Sequence, residues 1–465
     1  MRRQTLKIWA AILVLALAAA ACAPATVNAP TAAPTTGAAT AAATNNGSAT
    51  AAATAAATAA ATAAASLPAT TTAQPASSNT PLPPTATTDP NAIAHFQVGR
   101  PITITTIRMF NAQTGWGIGG LGTVGDHILT TVDGGLTWAD VTPPQAAAAP
   151  DQGQPNGAAA AFGNANTAWV IYGTFSAAAP ATATFWRTGD SGATWTASKP
   201  IDLSALGAAD FFQPSDIRFL PDGQTGWFIA HLGVGMNHDY FTVLKTTDGG
   251  QTWTRLIDPS GDGPQSCSKT GLHFADAQNG WLNGDCQGVA PGVFFKHTTD
   301  GGATWTDVAL PAPASMPDLF TRQDAGCGTY DMRLFDPQHG LLSVSCLFLG
   351  ANTITSTHYI YTTPDGGKNW TSNASPARRL TFINSEVGWA LPSGDANSQP
   401  PYALSQTQDS GATWTTVKQL AWTGDLIFVD AQTGWAVAQA NGATSLVSTS
   451  DGGKTWHAVN AKIGS

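Results

Sequence analysis

One eight-residue phrase, T-x-D-x-G-x-T-W, occurs seven times in this chain. The copies run Thr131–Trp138, Thr188–Trp195, Thr246–Trp253, Thr298–Trp305, Thr363–Trp370, Thr407–Trp414 and Thr449–Trp456. Only the fifth departs from the pattern, with Asn369 in place of the second threonine. A phrase that returns every roughly 40–65 residues marks one supersecondary unit stacked many times. Each copy has a companion upstream of the form F-x-[D/N]-x-x-x-G-W. It is clearest at Phe274–Trp281 and Phe428–Trp435. Weaker forms end at Gly115-Trp116, Ala168-Trp169, Gly226-Trp227, Gly340-Leu341 and Gly388-Trp389. Seven companions match seven phrases, so the repeat number is seven.

The third unit shows what is repeated. Ser215–Phe219 is a short apolar run, and Pro221-Asp222-Gly223 is a turn. Trp227–Ala230 and Tyr240–Lys245 read as a second and third strand. Thr247-Asp248-Gly249-Gly250 turns again, and Thr252–Ile257 is the fourth. Asp-Gly between two such runs is a strong hairpin signal. Aspartate accepts hydrogen bonds from turn amides and glycine supplies positive φ. The predicted fold is all-β: a seven-bladed β-propeller of four-stranded antiparallel blades, whose radial repetition leaves few open edges. The last unit has its own fourth strand after Trp456, so no borrowed strand is expected for closure.

The eight-residue phrase resembles the Asp-box of the bacterial neuraminidase (BNR) repeat, found in sialidases, sortilin-type receptors and several glycosidase propellers. The companion followed by T-x-D-G-G-x-T-W resembles, more narrowly, the photosystem II assembly/stability factor propellers and their bacterial relatives. The resemblance covers residues 96–465 and implies a fold; function does not follow from a propeller alone. The D-G-G turns lack the alternating ligands and terminal glutamate of a calcium loop, so the seven phrase aspartates, Asp133, Asp190, Asp248, Asp300, Asp365, Asp409 and Asp451, read as structural.

The chain divides into three. Residues 1–21 carry basic residues, a short apolar stretch and a small-residue end, the form of a secretory signal peptide. Ala19-Ala20-Ala21-Cys22 resembles a bacterial lipoprotein box, which makes Cys22 the expected lipidation site. Arg2-Arg3 also resembles a twin-arginine export signal. Residues 22–95 are almost only Ala, Thr, Pro, Ser and Asn, a composition that cannot bury a core and is expected to stay disordered. Such a stalk would span on the order of 45 Å. Residues 96–465 are the propeller. The expected location is the outer face of the cytoplasmic membrane or the cell surface, held by a lipid anchor.

Charged residues make up only 11% of the chain and the net charge is −9, which argues against a nucleic-acid partner. Beyond Cys22 the cysteines fall as Cys267 with Cys286 and Cys327 with Cys346, each 19 apart, at equivalent places in adjacent repeats. Of three possible connectivities only this pairing uses the repeat geometry, and it suits an oxidising compartment.

Catalytic motifs for hydrolases, metalloproteases and phosphate chemistry do not occur, and no metal or other cofactor is expected. His231, His238 and Asp239 share one segment and read as solvent-facing rather than as metal ligands. Arg108, Arg218, His273 and Arg333 occupy one equivalent position near the end of the first strand in units one, three, four and five. They are the candidate anion- or partner-binding residues. The competing expectation pairs the arginines with carboxylates such as Asp222, Asp276 and Asp336. Long connections, including His231–Asp239 and Leu347–Thr357, are expected to carry binding on the opposite face. The sequence therefore predicts a non-catalytic, monomeric, membrane-tethered propeller that binds or helps assemble another protein or envelope component. The alternative is a glycan-directed, sialidase-like glycosidase or lectin.

Overall fold

The computed structural model describes residues 92–464 except 123–124, 147–156, 174–177, 208, 236–237, 262, 287–290, 352 and 393–398. The leader, Cys22 and the Ala/Thr-rich segment lie outside the described residues. Seven antiparallel sheets follow one another along the chain, each a meander from an inner to an outer strand. They are the seven blades of a β-propeller. The inner strands are Thr103–Met109, Gly157–Phe162, Gln213–Phe219, Ser268–Phe274, Ala325–Leu334, Leu380–Phe382 and Thr423–Phe428, in blades one to seven. In blades two, three, four and seven the outer strand has only two residues.

Two segments expected as loops are strands instead. Gly226–Gly235 pairs with His238–Thr246, and Gly340–Leu349 pairs with Ile354–Thr363, giving long hairpins in blades three and five. Alternation of Thr, Ser and apolar residues carries the ladder past the usual blade edge.

The companion phrase is the joint between blades. The Trp227 ring of blade three stacks on Phe274 of blade four, with centroids 3.7 Å apart. Its Nε1 donates to Gly301 O, in the aspartate turn of that next blade, at 2.9 Å. Trp169 and Trp389 repeat both contacts, on Phe219 and Gly249 and on Phe428 and Gly452. In blade five Leu341 replaces the ring and packs with Ile360 and Phe382. The aspartate or asparagine of each companion closes the turn that follows it. Asp276, for example, accepts from the amides of Gln278 and Asn279 at 2.7 Å.

The aspartate turns are built alike. Asp300 Oδ1 accepts from Thr298 Oγ1 at 2.8 Å and Thr304 N at 2.9 Å, while Oδ2 accepts from Thr304 Oγ1 at 2.6 Å. The same bonds recur at Asp133, Asp190, Asp248, Asp365, Asp409 and Asp451. Asn369 is no exception in function, since its Nδ2 donates to Asp365 Oδ2 at 2.6 Å. Burial alone would raise the Asp300 carboxyl; the threonine hydrogen bonds hold it down to about 2. A depressed native value means that this stabilisation is present above the unfolded-state value and is lost as pH falls toward the native one. Glycines at φ +76° and +101° (Gly301, Gly302) make the turn possible. Ser191 and Ser410 adopt the first of these conformations in blades two and six.

Closure differs from expectation. Blade seven does supply its own outer strand, His457–Ala458. The tail then adds Lys462–Ile463 in parallel to Thr137–Trp138, as a fifth strand on blade one. It lies between that strand and Gly99–Ile102: Gly99 N donates to Ile463 O, Ile463 N to Arg100 O, Ile102 N to Ala461 O and Gly464 N to Trp138 O. Trp435 Nε1 donates to Gly134 O, completing the tryptophan joint across the seam.

Both expected disulfides are present, Cys267–Cys286 and Cys327–Cys346. Cys327 and Cys346 are direct cross-strand partners. Cys267 and Cys286 flank the pair Ser268–Asp285 in the same way. The bonds point to an oxidising, extracytoplasmic environment. Each closes a loop of sequence separation 19, so the chain-entropy estimate is about 3 kcal/mol. Breaking one bond by a paired Cys→Ala change should lower unfolding free energy by about that much. Non-reducing peptide maps should contain these two pairs; a crossed pair would refute the assignment.

Candidate functional site: an axial cavity

The inner strands bring one register position to the axis seven times. Opposite the companion tryptophan, or Leu341, lie Arg108, Ala161, Arg218, His273, Arg333, Thr381 and Ile427. Arg108, Arg218, His273 and Arg333 thus converge as the repeat phase required. All four line one cavity of about 800 Å³ at the end where the aspartate turns lie.

The expected ion pairs of the arginines with Asp222, Asp276 and Asp336 are absent. Those carboxylates are occupied by turn amides, as at Gln224 N and Thr225 N for Asp222 and at Gln338 N and His339 N for Asp336. Arg218 instead donates Nε to Leu272 O at 2.9 Å, and its Nη2 lies 3.6 Å from Asp216 Oδ1. Arg108 and Arg333 form no ion pair with a described residue and lean over Phe110 and Phe335.

Solvent reaches these groups, but protein walls surround them. Desolvation, then the Arg218 charge, lowers the Arg108 guanidinium below its usual range. Desolvation and Arg108 bring Arg333 to about 10. Both remain cations at neutral pH. Enclosure, with Arg218 beside it, holds the His273 imidazole well below its ordinary value. The fourth member therefore offers a hydrogen-bonding ring and no positive charge. Arg108 and Arg333, which pair with no described carboxylate, leave the cavity with an excess of positive charge suited to an anion from outside.

A second pocket, of about 450 Å³, opens among blades five to seven near the starts of their inner strands. Tyr330, Asp331, Arg378, Arg379 and Asp425 line it. Asp331 also borders the axial cavity. Tyr330 donates to Asp285 Oδ2 at 2.5 Å, Arg378 lies over the Tyr330 ring, and Arg379 pairs with Asp425. Burial raises the Asp331 carboxyl above its usual value, against the pull of Arg379 and Arg378. Sequence reasoning missed this group. The doublet Arg378-Arg379 ahead of the sixth inner strand was its one visible sign.

The His231, His238 and Asp239 segment also differs from expectation. His231 and Asp239 hydrogen-bond to each other and are largely enclosed, while His238 turns outward beside Tyr240. Among the described residues no group of three potential metal ligands converges.

No protein-family model matches this chain, and no curated protein does. Solved structures with a similar course of chain include YCF48 from Cyanidioschyzon merolae, at 15% identity and a TM-score of 0.42, covering 76% of this chain and 97% of that one. The GH74 enzyme of Niastella koreensis aligns at 14% identity and 0.33, covering 76% of this chain and 62% of its own. A polysaccharide lyase of family PL25, an ulvan lyase, aligns at 13% and 0.41, covering 63% and 80%. At such identities the likeness concerns the fold alone.

Proposed function

We propose that this chain is an extracytoplasmic propeller, tethered to a membrane through lipidated Cys22, that binds or helps assemble another protein or envelope component. The repeats are then Asp-box repeats of the assembly-factor kind, and the axial cavity is a binding site without turnover. One observation carries the reading: Arg108 and Arg333 share a cavity with Arg218 and pair with no described carboxylate, while Asp222, Asp276 and Asp336 are engaged by turn amides. A partner's carboxylates, on an acidic loop or a chain end, supply the missing charge. The protein acts as a monomer and needs no cofactor in this role.

The test is crosslinking of the intact protein in its own membrane, with wild type beside Arg108→Ala/Arg333→Ala. The wild type should capture a discrete species, and the double variant should lose most of it, since a desolvated charge contact typically costs 2–5 kcal/mol. Equal capture by both removes the axial cavity from the function. Capture should also weaken as salt rises.

A glycan-directed role is the second reading, favoured by the pocket that sets Asp331 and Asp425 among guanidiniums and a phenol. Carboxylates and guanidiniums there could share a sugar's hydroxyls. Sustained cleavage of a sialoside that disappears in Asp331→Asn would select it over the binding reading.

A further inference from the structure

Blade three contains an arrangement with no part in the axial site. Its inner strand is bulged between Ser215 and Arg218. Asp216, inside the bulge, has φ +49°, a conformation that costs a non-glycine residue energy and recurs where a side chain is being re-aimed. The side chain aimed is Ser215. Its Oγ lies 3.0 Å from His231 Nε2. His231 Nδ1 lies 3.0 and 3.1 Å from the two oxygens of Asp239. Asp239 is buried, and its Oδ2 also accepts from Lys269 N at 2.9 Å. Burial would raise that carboxyl, but the bonds from His231 and Lys269 keep it below its usual range and ionised.

We infer that Ser215, His231 and Asp239 form a nucleophile–base–orienter set able to take an acyl group from a carboxylic ester. Such sets are recognised by geometry and roles, not by chain order or fold. A carboxylate only accepts, so the Nδ1 facing Asp239 carries the proton. In the neutral ring Nε2 then presents its lone pair to the serine hydroxyl. Asp239 is held from the far side by the next blade, so it fixes the ring rather than following it.

Two features suit Ser215 to this task. It is half-buried, not sealed, so a small ester can reach it. The neighbouring Asp216 carboxylate, 3.0 Å from the same hydroxyl, is partly balanced by Arg218. Asp216 is thus a positioning residue, while His231 is the base.

The step is balanced. Ser215 Oγ bonds to the acyl carbon and its proton passes to His231 Nε2. The bond from the acyl carbon to the alcohol oxygen breaks, and the alcohol leaves with that proton. Water, deprotonated by the same nitrogen, then releases the carboxylic acid and restores the serine. This reading goes beyond the binding role: the two sites share Arg218, through its contact with Asp216, but neither Arg108 nor Arg333 takes part.

The experiment treats the intact protein with a fluorophosphonate probe and, separately, with p-nitrophenyl acetate, and locates adducts by peptide mass. A single adduct on Ser215 is expected. Ser215→Ala should abolish it, and His231→Gln should slow it about 10²-fold or more, the usual worth of a positioned base. Thermal melts of each variant establish that it folds. Ser215→Cys provides a second readout: iodoacetamide should alkylate Cys at that position faster with His231 present than with Gln. Absence of an adduct on Ser215, or labelling indifferent to His231→Gln in a folded variant, overturns the inference. Arg108→Ala/Arg333→Ala should label normally, so failure here and failure of the axial binding site are separable.

Discussion

Trp227→Ala should destabilise the protein by about 3–5 kcal/mol, the range for a buried tryptophan cut to a methyl. The ring is fully buried, stacks on Phe274 of the next blade, and donates to Gly301 in that blade's turn. The substitution therefore opens a cavity and leaves a carbonyl without its partner at a single blade joint. Trp227→Phe should recover most of the packing and lose only the hydrogen bond, about 1 kcal/mol. Denaturant unfolding followed by tryptophan-independent circular dichroism gives both numbers. A loss below about 1 kcal/mol for the alanine variant would show that the joint is not held in this way. The natural Leu341 in blade five shows that one joint can be made without the ring, by aliphatic packing on Phe382.

Deletion of residues 459–465 should have an effect of similar or larger size. Ile463 is buried, and the tail makes four backbone hydrogen bonds to Gly99–Ile102 and Trp138 besides its strand pairing. Burial of one isoleucine at about 2 kcal/mol and four bonds near 1 kcal/mol each give roughly 6 kcal/mol. Removing the fifth strand also bares the outer edge of blade one, a template for pairing between molecules. The expected result is a lower unfolding midpoint together with aggregation on heating, read by calorimetry and light scattering. A truncated protein that melts and scatters like the full chain would show the clasp to be dispensable.

The fold was legible because its two motifs are the two joints. The companion phrases carry a phenylalanine, an asparagine or aspartate and, in all but blade five, a tryptophan; structure shows the first receiving a ring, the second closing a turn and the third reaching forward. The register position of Arg108, Arg218, His273 and Arg333 was legible for the same reason, since equal phase in a repeat means equal distance from the axis. What those side chains do there was less so. Whether an arginine is paired depends on where neighbouring carboxylates spend their oxygens, and the turn amides had claimed Asp222, Asp276 and Asp336. Nor could sequence phase locate the group around Tyr330 and Asp331. It joins residues of three blades at unequal positions, outside the repeat. The Ser215 arrangement escaped for a related reason. A bulge shifts the strand by a residue and breaks the alternation on which facing is read. The tail strand was missed because two residues, Lys462 and Ile463, carry no recognisable pattern.

The clasp also has a meaning in time. Residues near 463 leave the ribosome long after their partners near 100 and 138, which are among the earliest of the propeller to appear. The tryptophan joint at the seam spans 301 residues of sequence, whereas the Trp227 joint spans 74. Blades can thus assemble in order as they are made, each tryptophan waiting only for its successor. The first blade must wait for all the others with its outer edge bare. Anything that stalls synthesis before Lys462–Ile463 leaves an almost complete ring that is open at one seam and prone to pair with its neighbours.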